Sequence, residues 1–167
     1  MTVAGHPSRP VRRAPIIVSI AVAAALLAVA VTVILLRPGR LILSDADTGE
    51  IYLERSLPGD GAFSVTFVHS VNRSPVSDVY RVRGRRIFLT GTVYYGFGAG
   101  VPTELEPGES LSYGEEGEMI VTGMDTEMTR LVYVVGTVSD HVLRIGGEEI
   151  SLRDSCGRNS RVLFTVR

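Results

Sequence analysis

Phe63-Ser64-Val65-Thr66-Phe67 alternates apolar and polar residues, and this stretch decides the fold. A period of two puts Phe63, Val65 and Phe67 on one face and Ser64 and Thr66 on the other, the mark of a half-buried β-strand. Working outward, the same grammar recurs from Leu41 to Val166. Leu41–Leu43 and Ile51–Leu53 flank Asp47-Thr48-Gly49, a hairpin signal. Val79–Arg83 and Arg86–Thr90 flank Gly84-Arg85, which reads as a two-residue type II′ turn. Glu118–Thr122 and Arg130–Val135 are further strand candidates, His141–Ile145 and Glu148–Leu152 enclose Gly146-Gly147, and Arg161–Val166 supplies a last strand. Two stretches read as loops, Asn72–Ser77 and Gly96–Glu109. No helical periodicity appears in this part. The expectation is an all-β domain over 41–167, a sandwich or partly closed barrel of about nine or ten short antiparallel strands.

Ahead of that domain lies a segment of a different kind. Ile16–Leu36 is 21 residues without a charge, rich in alanine, leucine and valine and flanked by arginines. At about 1.5 Å per residue it reaches roughly 30 Å, the thickness of a hydrocarbon core. The rival reading is a cleaved signal peptide ending near Ala28-Val29-Ala30, but its apolar region would run only about 7–15 residues. The length favours one transmembrane helix, an uncleaved anchor. Residues 1–15 then form a short basic cytoplasmic tail, 37–40 a linker, and 41–167 an extracytoplasmic domain, with the N-terminus inside by the positive-inside bias. Localisation is thus the cytoplasmic membrane, single-pass.

Charge follows the same division. Residues 1–40 carry five arginines and no acid, whereas 41–167 carry twelve arginines against eighteen acids, a net of −6. A mildly acidic domain argues against nucleic acid as a partner. The single cysteine, Cys156, excludes an intramolecular disulfide and cysteine-rich metal sites. No nucleotide or cofactor motif is present, so no cofactor is expected.

Two motifs hold the candidate site. In His69-Ser-Val-Asn-Arg-Ser-Pro-Val-Ser-Asp78-Val-Tyr80, His69 shares its face with Phe63, Val65 and Phe67. It reads either as a ligand-facing imidazole with Ser70 and Asp78 near, or as a ring capping a loop beneath the core. In Gly96-Phe-Gly98-Ala-Gly100-Val-Pro102, alternate glycines can turn successive N–H groups toward an anion, or can simply form a tight, closely packed turn. Together His69, Ser70, Asp78, Gly96, Gly98, Gly100 and Pro102 form the expected binding or contact patch. Catalysis has little support: there is no nucleophile elbow, and Ser70 points away from its neighbour His69. A metal site using His69 and His141 with one carboxylate is arithmetically open, but no spacing selects it, and none is expected. Asp45, Asp47 and Glu50 fail calcium-loop spacing and read as a turn. Glu115, Glu116 and Glu118 read as a solvated turn, and the Asn72-Arg73-Ser74 sequon is weakened by Pro75.

The order Asp-x-x-Thr-Gly-Glu, Phe-x-Val-x-Phe, His-Ser-Val, Ser-Pro-Val and Gly-Phe-Gly-Ala-Gly-Val-Pro resembles the domain-of-unknown-function family 1850, over about residues 41–152. His69, Ser70, Pro75, Gly98, Gly100 and Pro102 match its pattern. Asn72 stands where the family often has an acid, and Asp78 where it often has glutamate. Family genes commonly neighbour those of TAXI-type TRAP transporters. The resemblance therefore implies a non-enzymatic accessory role, with the TRAP permease or solute-binding protein as partner. The alternative is a small-ligand or metal-binding sensor domain, and a membrane-anchored hydrolase using His69 as base is a third reading.

Overall fold

The computed structural model describes residues 26–27, 39–69, 73–95 and 104–167. Within the expected anchor only Leu26 and Leu27 are described, both helical, so the anchor, its orientation and its cleavage lie outside the described residues. Among the described residues no helix is long and apolar enough to cross a membrane.

Among its described residues, the unit from Pro38 onward has eleven strands, where about nine or ten were expected. They are β1 (Arg40–Asp45), β2 (Ile51–Ser56), β3 (Ala62–Val68), β4 (Pro75–Arg83), β5 (Arg86–Tyr94), β6 (Ser110–Tyr113), β7 (Met119–Glu127), β8 (Leu131–Val134), β9 (His141–Ile145), β10 (Glu148–Ser151) and β11 (Arg161–Val166). A four-stranded sheet runs β2-β1-β11-β8 and a seven-stranded sheet runs β10-β9-β3-β4-β5-β7-β6. Every pairing is antiparallel. Neither sheet closes on itself, so the sandwich is the architecture and the partly closed barrel is not.

The parity of the Phe63 strand holds. Phe63 and Val65 are buried and face Phe164 and Leu143 across and along the core, while Thr66 and Ser77 meet on the outer face at 2.5 Å. The Gly84 turn takes the expected form: Gly84 has φ +64 and Arg85 does not, as a type II′ turn requires. At Gly91 the β7 backbone comes so close that an added Cβ would stand 2.6 Å from the Val121 carbonyl oxygen. The main core gathers Leu41, Leu43, Phe63, Val65, Leu143, Val162 and Phe164 between the sheets. A smaller cluster, Val76, Tyr94, Met119 and Val121, fills the inner face of the wide sheet where β4 begins and β5 ends.

Two local expectations need correcting, and one strand, β6, adds to those expected. Pro75–Ser77 is strand, not loop: Val76 and Ser77 pair with Tyr94 and Val93, and Pro75 sits at the first strand position, where its missing N–H costs no ladder bond. β6 is an edge strand exposed along its whole length. Leu152 leaves the β10 strand to open a short helix, α1 (Leu152–Cys156), capped by the Ser151 hydroxyl accepting from the Asp154 N–H. Cys156 is buried on this helix, and burial pushes its thiol up to about 11, which leaves it inert.

Candidate functional site

The β3–β4 hairpin carries His69 at its closing position. The His69 N–H donates to the Ser74 carbonyl and its carbonyl accepts from the Arg73 N–H, both at 2.9 Å. Arg73 takes a positive φ of 54° to complete the reversal. The His69 side chain is half-buried, as its shared face with the buried Phe63 and Val65 predicts. Ser70, Gly96, Gly98, Gly100 and Pro102 lie outside the described residues. Tyr94 and Glu104, on either side of the glycine motif, are described.

Asp78 is the surprise. By strand parity it lies between Val76 and Tyr80 on the face turned to the other sheet. Its Oδ1 accepts from the Thr92 hydroxyl at 2.8 Å, and Thr92 is its direct neighbour across the β4–β5 ladder. Its Oδ2 accepts from the Tyr133 hydroxyl at 2.7 Å, and Tyr133 comes from β8 of the opposite sheet. A tyrosine has one hydroxyl proton. Tyr133 gives its proton to Asp78, so the 2.6 Å contact between Tyr80 and Tyr133 has Tyr80 as the donor. The chain Tyr80 to Tyr133 to Asp78 therefore crosses the sandwich. Burial, helped by the Asp78 charge, pushes both tyrosine hydroxyls above the usual phenol range. They stay protonated and remain donors.

An aromatic set surrounds this chain. Phe67 stacks on His141 at 5.3 Å, and Tyr133 stands edge-on to His141 and Phe164 at 5.6 and 5.7 Å. His141 Nδ1 accepts from the Gly136 N–H at 3.2 Å, so in its neutral form the ring carries its proton on Nε2. Burial lowers its pKa, and the neighbouring Asp140 opposes that shift. Burial works to raise the Asp140 pKa, but donation from the Ser151 hydroxyl and the Arg153 and His141 N–H groups outweighs it and brings the carboxyl below its ordinary value. Asp140 thereby ties the β8–β9 connection to the start of α1.

Chemically this is a scaffold of satisfied groups. Both Asp78 oxygens are engaged by hydroxyl donors of the protein itself. Among the described residues no three His, Cys, Asp or Glu side chains stand close enough to hold a metal ion. The calcium-like fragment is a turn: Asp45 accepts from the Asp47 and Thr48 N–H groups and from Tyr52, which holds its carboxyl at about 2. Tyr133, Tyr80 and Thr92 are the members of the site that motif reading passed over. The signal for them is an ionisable residue, Asp78, at an inward strand position.

Fold and site together define an open two-sheet β-sandwich with a carboxylate bonded between its sheets. The chain belongs to the family described as Domain of unknown function (DUF1850), whose model matches residues 63–152, from β3 to the start of α1. No curated protein and no solved structure matches the chain.

Proposed function

We propose that this chain is a membrane-anchored accessory protein of a TAXI-type TRAP transport system, binding the permease or the solute-binding protein through its β-domain. Residues 16–36 hold it in the cytoplasmic membrane with the domain outside. The observation that supports this best is the division between the ends of the sandwich. Arg40 and Arg167 exchange backbone hydrogen bonds at one end, where the chain enters the domain. The 69–74 turn and the 114–118 turn lie at the other, at the free ends of the paired Val68–Pro75 and Tyr113–Met119 positions. The His69 end, opposite the strand ends at Arg40 and Arg167, is the part of the β-domain assigned here to a partner. A ligand sensor at Asp78 is the weaker reading, because its oxygens are already bonded within the protein.

The test is in-cell cross-linking of wild type beside a His69→Ala, Gly98→Val variant. Recovery of transporter subunits with wild type and their loss with the variant is the expected result. Recovery with neither protein, at equal expression, rejects the accessory role.

A further inference from the structure

The entry end of the domain has a charge pattern of its own. The β4–β5 hairpin places four arginines within six residues: Arg81, Arg83, Arg85 and Arg86. The guanidinium groups of Arg83 and Arg86 lie over the Phe88 ring at 4.2 and 5.3 Å, which fixes them at the hairpin tip. Arg83 pairs with Asp125 and Arg86 with Glu127. Arg81 and Arg85 are exposed and have no carboxylate partner among the described residues. A cleft of about 300 Å³ opens between the hairpin and β11, with Arg85, Arg86, Glu127, Thr129 and Thr165 among its lining residues. Val166 also lines it, one residue from the Arg40–Arg167 pairing. Three residues, Arg37, Pro38 and Gly39, separate the uncharged segment 16–36 from Arg40. Asp45, Asp47, Glu115, Glu116 and Glu118 lie on the turns at the opposite end; at the entry end Glu148 and Glu149 are paired with Arg55 and Arg144, which leaves the β4–β5 hairpin as the basic feature there.

We infer that this basic corner docks on the anionic phospholipid headgroups of the membrane, with the cleft beside Arg85 and Arg86 taking a phosphodiester. The inference rests on the anchor reading given above and adds an orientation to it. A short tether keeps the arginines within a Debye length, about 8–10 Å, of the surface, where an anionic leaflet attracts them. Guanidinium forks match phosphate oxygens in pairs. The existing bridges do not compete strongly: Asp125 is 62% and Glu127 37% exposed, and exposed pairs of this kind contribute little. The sandwich then stands on its β4–β5 tip, with the His69 end held away from the bilayer.

The experiment uses the full chain in nanodiscs of phosphatidylcholine alone or with phosphatidylglycerol. Hydrogen exchange at residues 83–86 should slow about tenfold only in the anionic discs, and the effect should vanish in about 0.5 M salt. Arg81→Gln with Arg85→Gln should abolish it while exchange in β1 and β11 stays unchanged, because both side chains are exposed and unpaired. Equal protection in both lipids, or protection that survives the double substitution, overturns the proposal. Resistance to alkaline extraction reports separately on residues 16–36. A chain that washes off at alkaline pH, yet is protected by phosphatidylglycerol vesicles at neutral pH, keeps the basic corner and rejects the anchor.

Discussion

The two halves of the space between the sheets are filled by opposite means. Toward the chain entry, Phe63 stacks on Tyr80 and Phe164 at 5.0 and 6.0 Å among aliphatic neighbours. Toward the His69 turn, ring contacts and a smaller apolar cluster are joined by a chain of hydroxyls ending on a carboxylate, with a neutral imidazole beside it. Apolar packing stabilises any sufficiently close approach of two sheets. A hydroxyl that must meet a carboxylate permits one offset only. The apolar contacts therefore tolerate small shifts between the sheets, and the hydroxyl chain fixes their relative position.

Substitutions can break this division in order of expected effect. Phe164→Ala removes a ring that is 2% exposed. It should cost about 3–5 kcal/mol in urea denaturation, the range for aromatic truncation in a core. Asp78→Ala should cost about 1–3 kcal/mol by leaving the Thr92 and Tyr133 hydroxyls without their acceptor. If the polar half sets position, it should also broaden the amide spectrum of β8, which Phe164→Ala should not do at equal stability. Tyr133→Phe should cost about 1 kcal/mol, and its combination with Asp78→Ala should fall well short of additive, since both break one chain.

The smallest effect is a pH dependence. Burial holds the His141 pKa below its ordinary 6.5 in the folded protein. Below about 6.5 the unfolded chain takes up a proton that the folded one resists. The stability contributed by neutral His141 is therefore complete above that value and declines as pH falls through the folded pKa. His141→Gln, which keeps an acceptor for the Gly136 N–H, should flatten this slope relative to wild type. A slope unchanged by that substitution would remove His141 from the polar half.

Most strands were legible because alternation survives wherever one face is buried: Phe63, Val65 and Phe67 needed no partner to declare their face. β6 was not, because Ser110–Tyr113 is an exposed edge whose pairing is its only structural commitment. Pro75 misled in the opposite way, a loop-former tolerated at a strand's first position. Of the candidate site, Asp78 was legible as a residue but not in its role. Its partner Tyr133 arrives from β8 of the other sheet, and no local pattern encodes a meeting of sheets.

The pairing of β1 with β11, Leu41 opposite Val166, carries a consequence for how the domain is made. The inner strands of the small sheet are separated by nearly the whole length of the domain. A chain emerging from its N-terminus has β1 and β2 as a hairpin early, but that hairpin has no second neighbour until β11 follows. Loop closure over such a span is slow, and topologies of this kind fold late. The four-stranded sheet should thus stay incomplete until β11 is made, whereas the β3–β4–β5 hairpins of the wide sheet can pair earlier.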